Sequence, residues 1–257
     1  LSNEDSETVE IWVDVAGRKS LKPKKITLSD IKINIKCFNE KQKELKKSIE
    51  DNDITISSGI AGSGKTYLSL LTALHLMKTY PEKYKQLILI KSLTVIPGEE
   101  VGILPGDLAT KLAPYMWSFT GNLDKIFKSK FITQQLMEDE IIEIKPIAYV
   151  RGVTISNSIC IIDEIQNITI DTFKSIATRI GSDCKMIFLG DVEQSDLKFK
   201  DSACLKTVIS KFKDTDVMNV VLFSKSDCVR HPLISKILDI LNDVKDIKEK
   251  EPIQLNS

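Results

Sequence analysis

No Cys-x-x-Cys pair occurs in the chain, and its five cysteines (Cys37, Cys160, Cys184, Cys204 and Cys228) form an odd, scattered set. That spacing offers neither a zinc knuckle nor a disulfide framework and points to a reducing compartment. Cys160 and Cys184 fall inside apolar, strand-like runs, where a thiol serves as a small hydrophobe. No stretch approaches the roughly 18 uninterrupted apolar residues of a membrane span, so a membrane partner is not expected. The opening residues, LSNEDSETVE, are acidic and lack the apolar centre of a signal peptide. They begin at leucine instead of methionine, which leaves room for a longer precursor. Net charge is missing as well: 36 acidic residues balance 36 basic ones. Overall charge therefore argues neither for nucleic acid nor for a membrane. No internal repeat and no low-complexity segment is found. A soluble, cytoplasmic protein is the expectation.

What is there suits one large domain, or one domain with an appendage: 257 residues, 42% of them hydrophobic. VEIWVDV at 9–15 alternates at period two and predicts an early strand. From Arg18 to Ser48 the composition turns basic, with eleven Lys or Arg against three acids. Such a stretch is either a solvated surface or a patch that meets phosphate backbones. Within it, Asn39 caps a helix that places Phe38, Leu45 and Ile49 on one side. Short apolar strands follow at ITISSG (54–59), QLILIK (86–91), ICII (159–162), CKMIFLGD (184–191) and VMNVVLF (217–223). EIIEIKPIAYVRG also has strand character. A long loop is expected at 93–107, from its two Pro-Gly pairs, and then a helical section interrupted at Pro114 and Gly121. Helices are expected at 66–80, 171–180 and 201–212, with a last one carrying Ile234, Ile237, Leu238, Leu241 and Val244 on one face. Strands alternating with helices predict an α/β fold, a mostly parallel sheet covered on both faces. Ligands in such folds bind where strands end and helices begin.

GIAGSGKT, from Gly59 to Thr66, fits G-x4-G-K-[ST]. Chance produces that pattern in roughly one chain of this size in a hundred. Here it follows a predicted strand and opens a predicted helix, as a phosphate cradle requires. Gly59, Gly62 and Gly64 let the backbone N–H groups of Ile60, Ala61, Ser63 and their neighbours, through Tyr67, turn around phosphate oxygens. Lys65 reaches the β and γ phosphates, and the Thr66 hydroxyl binds Mg²⁺. ATP and Mg²⁺ are the expected ligands.

The strand at 159–162 runs into two adjacent carboxylates, Asp163 and Glu164. Gathering two charges at the end of a buried strand is expensive. The expectation is a strand lying beside the cradle strand, so that Asp163 meets Mg²⁺ while Glu164 orients and deprotonates the attacking water. The metal's charge offsets the cost of the pair. No D-x-x-G follows the cradle and no base-reading N-K-x-D occurs, which argues against a GTPase. Small-molecule kinases usually lack the second carboxylate, so hydrolysis is favoured over transfer to a metabolite.

Further motifs carry a resemblance. IFLGDVEQSD at 187–196 resembles the G-D-x-x-Q element of superfamily-one helicases. GEEVGILPGDL (98–108), IAYVRGVTISNSICIIDEIQN (147–167), ATRIGSDCKMIFLGDVEQSDL (177–197) and VRHPLI (229–234) occur in that order. Together with the cradle they are similar to the PhoH family, over about residues 38–245, leaving 1–37 as an N-terminal extension with β character. The resemblance implies a RecA-like P-loop NTPase core, similar to one half of a helicase motor and linked to RNA or single-stranded DNA. Homo-oligomers are implied too, in rings that include hexamers. It also implies that Gln194 senses the γ-phosphate, that Arg230 is an arginine finger, and that Gln42, seventeen positions before Gly59, reads adenine. Such a finger is worth roughly 10³ to 10⁵ in rate. Motif context makes Arg151 and Arg179 contacts to phosphate, nucleic acid or a neighbouring subunit, although Arg179 also suits a helix-end cap.

Where the family shows an arginine-proline pair, this chain has Lys91-Ser92, which keeps the charge and loses the bidentate fork. Lys91 joins the same contact set. The 37 residues ahead of the matching region are too few for the nuclease domain of some relatives, so nuclease activity is not expected. The compact, Ile/Lys/Asn-rich chain is similar to bacteriophage-type members, which would place it in host cytoplasm. His231 is expected to start the last helix and His75 to pack. Trp12, Trp117 and Phe119 offer stacking surfaces for bases or else belong to the core. An ATP-gated assembly protein that does not act on nucleic acid is the other function class these residues allow.

Overall fold

The computed structural model describes residues 10–13, 19–22, 26–92, 108–150, 152–192 and 204–229. Arg151, Gln194, Arg230, His231, nearly all of the 98–108 motif and the last predicted helix lie outside them. The main sheet has six strands, β3 (Ile54–Ser58), β4 (Gln86–Lys91), β5 (Ile142–Pro146), β6 (Ser158–Asp163), β7 (Cys184–Gly190) and β8 (Asn219–Leu222). They run in the order β5-β4-β6-β7-β3-β8, and every pairing is parallel. A separate antiparallel pair, β1 (Glu10–Val13) with β2 (Lys19–Lys22), precedes it. The second strand of that pair sits in the basic stretch, where periodicity does not show it.

Burial on both sides explains the unbroken apolar runs. In β6, Ile159 and Ile161 enter one core while Cys160 and Ile162 enter the other. The first core is closed by α1 (Glu40–Asp51), α2 (Lys65–Thr79), α3 (Leu108–Phe127) and α4 (Lys130–Glu138). The second is closed by α5 (Ile170–Ala177) and α6 (Cys204–Phe212). Cys160 and Cys184 are buried, and burial pushes the Cys184 thiol up to about 11, so both behave as small hydrophobes. Residues 26–37 lie against the first core, with Ile31 buried in it.

Local chemistry sets the helix starts. The Asn39 side chain accepts from the Gln42 N–H at 2.8 Å, opening α1 as its cap. Ser129 and Thr169 do the same for α4 and α5. Phe38 is a correction: it precedes the cap, outside the helix, and is 66% exposed while Leu45 and Ile49 are buried. Helix α3 is another, because it runs unbroken through Pro114 and Gly121. An interior proline costs about 3 kcal/mol and a glycine about 1. Phe119, Leu123 and Phe127, four residues apart, are buried in the first core. At roughly 1.5–3 kcal/mol each, they outweigh both penalties. Of the aromatics that periodicity leaves undecided, Phe119 is core and Trp117 is 69% exposed.

Because Ile161 is fully buried in the central strand, Ile161→Ala is expected to lose about 2–5 kcal/mol. Urea unfolding checks this; an unchanged midpoint would remove β6 from the core.

Candidate functional site

Strand β3 leads through Gly59 into a turn that opens α2. The Gly59 N–H donates to the Gly190 carbonyl at 3.2 Å, fastening the turn to the end of β7. Gly64, the cap of α2, has φ 84°, and a Cβ there would stand 2.9 Å from Gln42 Nε2. Only glycine meets both demands. The first N–H groups of α2 have no partner inside the helix and carry its positive dipole end. Lys65 Nζ sits among acceptors of the same turn: the Gly59 carbonyl, the Ile60 carbonyl at 3.0 Å and Ser63 Oγ at 3.2 Å.

The carboxylate pair does not end a strand beside β3. Strand β7 lies between β3 and β6. Adjacency is unnecessary because α2 connects β3 to β4 by passing over β7 and β6 on the first-core face. Its first turn thereby arrives at Asp163, and Thr66 Oγ1 donates to Asp163 Oδ2 at 3.1 Å. Asp163 Oδ1 accepts from the Glu164 N–H at 3.0 Å. Burial, and secondarily the Glu164 charge, push the Asp163 carboxyl up to about 6, against the pull of that N–H, Lys91 and Thr66. Glu164 has a left-handed backbone, φ 60°, at the start of a single 3-10 turn, a strained conformation for a residue with a Cβ.

Two neighbours that sequence reasoning missed hold this corner. The Ser92 N–H donates to the Asp163 carbonyl at 3.2 Å, and Ser92 Oγ donates to the Glu164 carbonyl at 2.6 Å. A proline at 92 could donate neither, so the departure from the arginine-proline pattern has a structural use. Gln166 Nε2 donates to Glu164 Oε2 at 2.6 Å, and Gln166 Oε1 accepts from the Asp191 N–H at 3.0 Å. Ser92 and Gln166 are polar residues beside buried runs, a signal available in the sequence, but the partners of Ser92 lie at the end of β6 and the Asp191 N–H that orients Gln166 lies at the end of β7.

A cavity of about 450 Å³ opens over these groups. Residues Ala61, Gly62, Gly64, Lys65, Thr66 and Tyr67 line one side, with Asp163, Glu164, Gly190 and Asp191 beside them. Ser118, Asn122 and Lys125 of α3, unforeseen from sequence, also line it, as does Lys91, whose Nζ donates to Ser118 Oγ at 3.1 Å. Gln42 does not line the cavity. Its carboxamide accepts from the Phe38 N–H at 2.8 Å and donates to the Ser63 carbonyl at 2.9 Å, against the cradle turn. Arg179 also lies elsewhere, its Nε donating to the Ser175 carbonyl at 3.1 Å as a cap on its own helix. On α1, Lys41, Lys43 and Lys46 pair with Glu44, Glu40 and Glu50, so part of the basic stretch is internally neutralised.

The raised Asp163 pKa makes the site's cost measurable. The unfolded carboxyl ionises near pH ~3.9, while the folded one does so at about 6. Between those values the native state keeps a proton that the unfolded chain has released, so stability falls as pH rises and stays lost above. In metal-free buffer at pH 8, Asp163→Asn is expected to gain on the order of 3 kcal/mol. That gain should vanish near pH 4. Thermal unfolding at the two pH values checks it, and an equal difference at both would contradict it.

The strand order, with a glycine cradle after β3 and the paired acids one strand removed, is that of a RecA-like P-loop α/β fold. Two solved structures are similar at low identity. The large terminase from a thermophilic bacteriophage has a TM-score of 0.46 and 16% identity, over 79% of this chain and 50% of that one. Pif1 from Bacteroides sp, in complex with ADP-AlF4, has 0.34 and 16%, over 82% and 46%. Sequence relatives are nearer. A PhoH-like protein of Bacillus subtilis is 38% identical over 198 residues, 77% of this chain and 61% of the relative. Protein PhoH of Escherichia coli is 34% identical over 202 residues, 78% of this chain and 56% of the relative. The chain thus spans little more than half the length of these curated relatives. Among the described residues no helix is long and apolar enough to cross a membrane. The model of the PhoH-like protein family matches residues 34–242, and the chain belongs to that family.

Proposed function

We propose that the chain is a Mg²⁺-dependent ATPase core whose nucleotide cycle acts on RNA or single-stranded DNA. The carrying observation is the 3.1 Å contact between Thr66 and Asp163 with Glu164 beside it in the cavity, facing the cradle that holds Lys65. Cradle N–H groups and Lys65 would hold the β and γ phosphates. Glu164 would orient the attacking water and accept its proton as the water oxygen bonds to the γ-phosphorus and the bond to the β-γ bridging oxygen breaks, giving phosphate and ADP.

The residues present fit a hard divalent cation. Thr66 and Asp163 offer converging oxygens, and a buried carboxyl whose ionisation is disfavoured is one that a cation would favour. Among the described residues no group of three or more His, Cys, Asp or Glu gathers to hold a metal, so phosphate oxygens and water would complete the shell. Bound there, Mg²⁺ supplies charge neutralisation of the phosphates. Within the same proposal, Gln194 is the γ-phosphate sensor, Arg230 the arginine finger, and Gln42 the adenine reader, each by family resemblance. So is a division at residue 37 between extension and ATPase unit.

Exposed Trp117 supports contact with a single strand. It lies on α3, one residue from Ser118 of the cavity wall and two turns from Lys125. Base stacking on such a ring is worth about 1–3 kcal/mol. The ion pairs along α1 favour the second reading, an ATP-gated homo-oligomer that does not act on nucleic acid, because they reduce the charge available to phosphates. Arg151 and Arg179 would then serve a subunit boundary.

Glu164→Gln is expected to abolish turnover while ATP still binds, and normal hydrolysis by that variant would discard the base assignment. Lys65→Ala is expected to weaken ATP binding itself; full affinity in a fluorescent-nucleotide titration counts against the cradle. Trp117→Ala is expected to weaken single-strand binding about tenfold at fixed salt. Hydrolysis indifferent to any polymer, with a particle mass that changes on adding ATP, would select the assembly reading.

A further inference from the structure

A base must be aimed as well as present. Glu164 carries a flexible side chain on a strained backbone, and rotation of its carboxylate would move the proton-accepting oxygen away from the water it serves. Gln166 Nε2 holds one carboxylate oxygen, Oε2, at 2.6 Å. Glu164 lines the cavity, and an oxygen already accepting from an amide is the poorer base, which favours Oε1 for the proton.

The amide's orientation follows from chemistry. The Asp191 N–H can only donate, and it points at Gln166 at 3.0 Å, so the oxygen of the carboxamide must sit there. The NH2 group is then the one aimed at Glu164. Gln166 is 3% exposed, so water cannot readily replace either bond. The end of β7 is shaped for this arrangement: a Cβ on Gly190 would come within 2.8 Å of Gln166 Oε1 and 2.8 Å of Leu205 Cδ2. A larger residue at 190 would have to displace the amide or Leu205.

We propose that Gln166 is the positioning residue of the site: it ties the Glu164 carboxylate to the backbone at the end of β7 and selects Oε1 as the oxygen that receives the proton. This rests on the reading of Glu164 as the base. Gln166 touches neither phosphate nor water in this role; it acts through Glu164.

Two variants separate the two bonds. Gln166→Glu keeps size and the acceptor for the Asp191 N–H but removes the donor to Glu164. Gln166→Met removes both. The expected result is a fall in ATP-saturated turnover of about 10–100-fold in each, the scale seen when the outer partner of a functional ligand is lost. The KM for ATP and the Kd for a non-hydrolysable analogue should stay within about twofold, because the cradle is untouched. A merely structural glutamine would instead lower nucleotide affinity and turnover together, or leave both unchanged. Should Gln166→Met fail to fold, Gln166→Glu, which retains the Asp191 bond, decides the question. Wild-type hydrolysis with turnover unchanged in Gln166→Glu overturns the positioning role alone. A wild-type chain that binds ATP and never hydrolyses it overturns the base assignment and this inference with it.

Discussion

A hydroxyl and a carboxylate from elements two strands apart meet at 3.1 Å across the width of β7, and the site depends on that meeting. Thr66 is delivered by the first turn of α2 and Asp163 by the end of β6. Neither position would mean anything if α2 did not pass over β7 and β6 toward β4. The crossing is enforced by burial, since the apolar faces of α2 and of the central strands share one core.

The end of β7 joins the two halves of the site. Its Gly190 carbonyl accepts from the cradle at Gly59, and the next N–H, at Asp191, donates to Gln166. Gln166 in turn reaches Glu164. A shift of this strand end would disturb the phosphate turn and the paired acids together. From the other side, Ser92 at the end of β4 clasps the peptide carbonyls of the same acids. Strand ends thus converge on a few backbone groups, which suits a site where a misplacement of about 1 Å can cost 10²-fold.

The site carries two unfavourable terms, a buried carboxyl held out of its ionised range and a glutamate in left-handed backbone. Left-handed backbone also occurs away from it, at Lys128, Glu140, Asn157 and Asp183, so the buried carboxyl is what sets the site apart. The two cores supply the stability that tolerates the strain. Lys185 is a smaller case, its ammonium bonding the carbonyls of Glu50 and Asn52 at the end of α1; burial lowers its pKa.

Local signals were legible without the structure. The glycine turn needs its residues in consecutive order, the Asn39 cap acts within three residues, and the apolar runs of β3, β4, β6 and β7 report burial on both faces. Other features answer to distant partners. Strand order puts β7 between the cradle strand and the acids, core packing carries α3 through Pro114 and Gly121, and the chain's path leaves Phe38 outside α1. The work of Ser92 and Gln166 was equally hidden, because a polar side chain beside a strand end has no meaning until another strand end lies against it. Sequence alone determined the cradle and the paired acids, since covalent order and local backbone preference set them. Only the tertiary structure decided which of them touch, because burial of non-local surfaces brings the strand ends together.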